Sequence, residues 1–142
     1  MDNGFMNQVR RNLVAIISLV VAISGLSYNT WRNEVSEANR NVRHAGFQVL
    51  LTLGKLQEVV FFSHYDRDEE RGNPRTGWAY VLLVGDLSDN MPDPVPGDAV
   101  SLHEMWEAQW RGLGKNDESA EMISASIDDL RESVLHALRD LD

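Results

Sequence analysis

The sequence predicts an all-α protein: one N-terminal transmembrane helix, continuous with the long first helix of an antiparallel, four-helix-like bundle. Three observations lead there. Residues 13–28, LVAIISLVVAISGLSY, carry no charge. Small or apolar residues then recur at Val35, Ala38, Val42, Ala45, Val49, Thr52, Leu56 and Val59, in alternating steps of three and four that define a heptad seam. The same spacing returns near the C-terminus at Ala120, Ile123, Ile127, Leu130, Val134, Ala137 and Leu141. The expected organisation is a short tail over residues 1–12, a membrane helix over 13–31 and a helical bundle domain over 32–142.

The apolar run is somewhat shorter than the ~20 residues that a ~30 Å hydrocarbon core requires. Asn29 and Thr30 extend it to the headgroup level, where Tyr28 and Trp31 suit an interfacial aromatic belt. Arg10 and Arg11 bound the start and Arg32 the end. A helix apolar on every side has no stripe to give to water, which favours lipid. Ala22-Ile23-Ser24 resembles a weak signal-peptidase site, but the helical pattern runs straight through it. An uncleaved, single-pass signal anchor is therefore expected. Flanking charge is nearly balanced, with Arg10 and Arg11 on one side and Arg32 and Arg40 on the other. A short basic tail favours an N-terminus on the cytoplasmic side and an exported domain, giving a bacterial inner-membrane protein with its bundle in the periplasm.

Of the 13 basic and 22 acidic residues, only Arg10, Arg11 and Asp2 precede Arg32, so the domain carries a net charge of −10. Such a field repels phosphate, which argues against nucleic acid as a partner. There is no cysteine, which removes disulfides, thiolate metal sites and thiol catalysis. About 110 residues outside the membrane suffice for one modest core.

Continued backwards, the seam passes through Tyr28, Ser24, Val21, Ile17 and Val14, so one helix from about residue 8 to 64, about 80 Å long, keeps a single face. Past Phe47 the stripe widens to take in Leu50, Leu51, Leu53, Val60, Phe61 and Phe62, as expected where a stalk enters a bundle. Gly46 and Gly54 mark either close helix approaches or loose spots. The segment DRDEERGNPRTG, residues 66–77, reads as an exposed loop. Thr76 is the expected cap of a helix over residues 78–91, with Trp78, Val81, Leu82 and Gly85 on one face. A strand over 79–84 competes, but no second strand is visible to pair with it. MPDPVPG, residues 91–97, reads as a non-helical connector. Ser101 and Glu104 form a capping box opening a short helix with Leu102, Met105, Trp106, Ala108 and Trp110, stopped by Gly112 and Gly114. Asn116 or Asp117 caps the last helix, and Asp117, Glu118 and Glu121 suit its positive end.

Catalytic signatures are missing. No P-loop, dinucleotide fingerprint, GxSxG or paired-carboxylate motif occurs, so no enzyme and no cofactor is expected. His103 and Glu107 share a helical face, but two residues on one face are more often simply exposed than metal-bound. The acidic run from Asp66 fails the calcium-loop pattern, since Arg71 stands where glycine is required and Gly77 where the bidentate acid belongs. His64, beside Tyr65 and Asp66 at a helix end, reads as a favourable dipole contact. Trp78, Trp106 and Trp110 are expected to fill the core, with the indole N–H groups bonded nearby, rather than line a ligand pocket.

The polar stretch YNTWRNEVSEANRNVR, residues 28–43, is rich in asparagine, a poor helix former. It reads either as a stalk surface that contacts a partner through amides or as a helix adapted to lipid headgroups. Together with NRNVRHAGFQ and the later HYDRD and GNPRTGWAYV, the YNTWRNE motif resembles a group of small bitopic proteobacterial membrane proteins. That resemblance implies an envelope location and a shared fold, without an assigned activity. The function expected is membrane-anchored assembly, as a homo-oligomer or an accessory subunit of a membrane complex. The interaction residues would be Val35, Ala38, Val42, Ala45 and Val49. An extracytoplasmic ligand-sensing bundle that signals through a partner is the alternative.

Overall fold

The computed structural model describes the backbone of residues 3–141, with the side chains of Gln8 and residues 10–141. Met1, Asp2 and Asp142 lie outside the described residues. Four α-helices occur among the described residues: α1 (Asn3–Phe61), α2 (Pro74–Ser88), α3 (Val95–Gln109) and α4 (Asp117–Arg139). A π-helical turn, Phe62–Asp66, follows α1, and a 3₁₀ turn, Trp110–Gly112, follows α3. No strand occurs among the described residues. The chain divides into two compact units, residues 1–38 and 39–142.

In the first unit α1 begins at Asn3, so residues 3–12 of the expected tail are already helical. From Arg10 to Ala38 every side chain is exposed, and this part of α1 is long and apolar enough to cross a membrane. Ser18 donates its hydroxyl to the Val14 carbonyl, which satisfies that polar group within the helix.

The second unit is an up-down four-helix bundle. Its antiparallel order follows from contacts at both ends. Along α1 and α4, Arg43 donates to the Leu141 carbonyl and Gln57 to the Ser124 hydroxyl, while His64 lies against Asp117. Along α3 and α4, Ser133 donates to Asp98 and Ser119 to Gln109. Trp106 and Trp110 of the α3 segment meet Gly77 and Trp78 of α2. Leu53 and Leu56 of α1, Val81 and Val84 of α2, Leu102 and Trp106 of α3, and Ile123, Ile127 and Leu130 of α4 are fully buried together. Each such aliphatic side chain contributes about 1.5–3 kcal/mol of transfer free energy.

Several element boundaries differ from expectation. α2 starts at Pro74, not after Thr76; Asn73 caps it by accepting from the Arg75 N–H, and Pro74 occupies the first turn, where its missing donor costs nothing. The inward residues of α2 are Gly77, Val81, Val84 and Ser88, whereas Leu82 faces out. α3 starts at Val95, inside the proline-rich segment, because Pro96 also sits in a first turn. Ser101 is consequently not a cap: it lies within α3 and donates to the Gly97 carbonyl. The expected cap of α4 is present, with Asn116 accepting from the Ser119 N–H.

Three glycines explain how the bundle closes. A Cβ at Gly77 would sit 2.1 Å from Trp106 Cζ2, so α2 lies directly on the indole. At the far end of α1, a Cβ at Gly72 would reach the Ser63 nitrogen at 2.2 Å, and one at Gly114 the Ser63 carbonyl oxygen at 2.8 Å. Gly114 also has φ +73, the left-handed region that glycine tolerates. Two loops, one before α2 and one after α3, thus clasp the π turn that follows α1.

Candidate functional site

Three surfaces of the molecule are candidates, and each is built from side chains that the chain's own core leaves uncovered. The first is the apolar run. Val14 is 74% and Leu26 69% exposed, and no side chain from Leu13 to Tyr28 is covered by protein. Arg10, Arg11 and Arg32 are exposed at its two ends. Tyr28 and Trp31 lie on one side of the helix with ring centroids 6.1 Å apart, forming an amphipathic pair of the kind that settles at a lipid–water boundary.

The second is the seam. Val35, 44% exposed, and Ala38 are uncovered, and Val42 is half-buried. Ala45 and Val49 are different: both belong to the core of the bundle. An interface through all five residues is therefore not available, because two of them are already packed against the chain's own helices. Farther along α1, Phe47, Leu51, Phe61 and Tyr65 are also exposed.

The third is a cavity of about 470 Å³ between the ends of α1 and α4, lined by Val60, Phe61, His64, Tyr65, Asp117 and Arg131 among others. It opens beside the π turn, a distortion often found at functional sites. His64 Nε2 lies 3.5 Å from an Asp117 carboxylate oxygen, and the imidazole meets the Tyr65 ring edge-on at 4.5 Å. His64 thus has a specific carboxylate neighbour across the α1–α4 boundary, not merely a place at a helix end. The pairing was not legible in sequence, because 53 residues separate His64 from Asp117 and only the antiparallel packing of α1 on α4 brings them together. Asp128 and Arg131 form an ion pair on the same wall.

The other sequence candidates find structural roles. Asp68 accepts hydrogen bonds from the Glu70 and Arg71 N–H groups, and the Arg71 guanidinium lies 3.5 Å above the Phe62 ring. The acidic loop is thereby ordered by its own backbone. His103 packs edge-on against Trp78 at 5.4 Å. Among the described residues, no three His, Cys, Asp or Glu side chains converge as a metal site would require. Trp106 is fully buried, and Trp78 and Trp110 pack against the same core with their rings 6.5 Å apart. The indole N–H of Trp106 has no protein acceptor, contrary to the expected bond, because its ring is sandwiched by apolar groups and Gly77.

No protein family, curated protein sequence or solved structure matches the chain. The class defined by the geometry is a four-helix bundle whose first helix carries an exposed apolar run long enough for a bilayer.

Proposed function

We propose that the protein is a non-enzymatic, single-pass assembly factor of the bacterial inner membrane, anchored by residues 13–31. In this reading the N-terminus is cytoplasmic and residues 32–142 form a periplasmic bundle that joins a larger membrane complex or a second copy of the chain. Membership of the bitopic group that shares the YNTWRNE-like motif is part of the same reading. The supporting observation is that α1 leaves apolar side chains uncovered beyond any bilayer-length stretch: Val35, Phe47, Leu51 and Phe61 follow the span and are exposed. Lipid accounts for the span, and a protein neighbour accounts for these.

The test is the mass of the native particle, extracted gently from its own membranes, with every stoichiometric chain identified. A small multiple of 16.0 kDa means self-assembly, and a second stoichiometric protein means an accessory subunit. A clean monomer overturns the proposal. The His64 cavity supports a second reading, a ligand-sensing bundle that signals through a partner. A reproducible rise in Tm with one small metabolite from a broad panel is expected in that case.

A further inference from the structure

The groove between α2 and α3 has a floor of Val81 and Ala99 and walls of Leu82 and Val100, which are 55% and 58% exposed. Leu83, next on α2, is exposed as well. Inward, α2 buries Val81 and Val84; outward, it presents two leucines. A helix apolar on both faces is one that has a neighbour on both faces, and in this chain α2 has neighbours on the inner face only.

Gly85 sits in the wall of this groove, inside α2. Glycine in a helix interior is destabilising relative to alanine, so its place calls for a local reason. Gly77 has one within the chain, the Trp106 ring. Gly85 has none: a Cβ built there meets nothing within 4 Å. The free space is on the open side of the groove, where a missing side chain lets an outside backbone or side chain come close.

The rim is acidic. Asp86 and Asp89 line the groove with no Lys or Arg in its wall, and His103 of α3 completes the lining. A second copy packed symmetrically on this face would bring these carboxylates toward their own equivalents, and an anionic lipid surface would be repelled. A partner with its own cationic groups is complementary.

We infer that the α2–α3 groove is a docking site for an amphipathic helix of a different protein, one that sets an apolar row against Leu82, Gly85 and Val100 and a Lys or Arg against Asp86 and Asp89. The inference rests on the assembly reading above and deepens it, selecting the accessory-subunit form over the homo-oligomer. Helix-in-groove recognition of this kind takes its anchors at i, i+3 or i+4 spacing.

The test is site-specific photocrosslinking in the full-length protein within its own membranes, using p-benzoyl-phenylalanine placed at Leu82 and, separately, at Val100. Both positions are expected to crosslink to the same heterologous polypeptide. Its crosslinked peptide, mapped by mass spectrometry, is expected to read as an apolar-periodic helix with at least one Lys or Arg. The probe placed at Glu132, exposed on α4, serves as background. Gly85→Leu is expected to lower the specific crosslink at least tenfold with Tm unchanged or raised, and Asp86→Lys with Asp89→Lys to lower it comparably. Crosslinks only to a second copy, only to lipid, or at background level overturn the inference. So does a crosslinked segment without basic residues, or a signal that survives Gly85→Leu. Native particle mass separates the two failures: a heteromeric particle without groove crosslinks removes this site alone, whereas a monomer removes the assembly reading with it.

Discussion

Residues 13–31 and residues 45–60 lie in one helix and share the same three-four spacing, yet they bury opposite shares of it. In the first region no apolar side chain is covered. In the second, Val49, Leu53 and Leu56 are completely enclosed. Spacing alone does not tell the two apart; the opposite face does. Between Leu13 and Tyr28 the positions off the seam are uncharged and, apart from Ser18, Gly25 and Ser27, apolar, so no rotation of the helix gives water a charged face. Between Ala45 and Val60 they include Gln48, Lys55 and Glu58, which give a soluble face. The same pattern therefore accompanies an uncovered apolar run in one place and a protein core in the other.

The largest effect that would break this contrast is a charge in the buried region. Val49→Asp or Leu53→Asp is expected to cost about 4 kcal/mol or more, since an isolated carboxylate would lie among closed apolar neighbours. Against a typical total of ~5–15 kcal/mol, cooperative melting followed by circular dichroism should be lost or shifted strongly downward. Val20→Asp is the matching change in the exposed region. It is expected to weaken insertion by about 3 kcal/mol and to release protein from membranes at alkaline pH, while the Tm of the bundle stays unchanged. A bundle that melts early with Val20→Asp would show that the two regions are not independent.

Smaller changes sharpen the comparison. Gly77→Ala is expected to destabilise by about 1–3 kcal/mol, because its Cβ collides with the Trp106 ring and overpacks the core. Denaturant titration should read this as a lower midpoint at constant slope. Asn116→Ala removes the cap of α4 and is expected to cost about 1 kcal/mol. Gly54→Ala goes the other way. Nothing lies within 4 Å of a Cβ there, so a gain of up to about 1 kcal/mol is expected from helix propensity. No gain in the denaturation midpoint would mean that the surface at Gly54 is not open in solution.

Much of the bundle was legible because its signals are local and periodic. The seam of α4 from Ala120 to Ala137 and the Asn116 cap are placed as the sequence predicts. The misplaced boundaries share one cause. Pro74 and Pro96 lie in the segments that read as loop and connector, whereas in a first turn the ring replaces a donor that would have no partner anyway. The face of α2 is a separate miss: Trp78, Val81, Leu82 and Gly85 share helical spacing, but the buried row is Gly77, Val81, Val84 and Ser88. A second kind of miss concerns Ala45 and Val49. A heptad seam has the same spacing whether its partner is another copy or the chain's own α4. Only the presence of an amphipathic α4 of matching length argues for the internal answer. Gly46 and Gly54 look alike in sequence, yet Gly46 lies against Leu138 and Met91 and Gly54 against nothing. That distinction belongs to tertiary packing and has no local signature.

The clasp of Gly72 and Gly114 on Ser63 has a consequence for amide exchange. Helix ends ordinarily fray, and their last amides exchange with solvent through small local openings. Here the loop before α2 lies against the backbone nitrogen of Ser63, and the loop after α3 lies against its carbonyl oxygen. The turn can open only when both loops lift, and those loops are held by α2 and α4. Deuterium uptake around Ser63 should therefore be as slow as uptake in the middle of the bundle, with the π turn after α1 belonging to the slowest-exchanging unit of the domain.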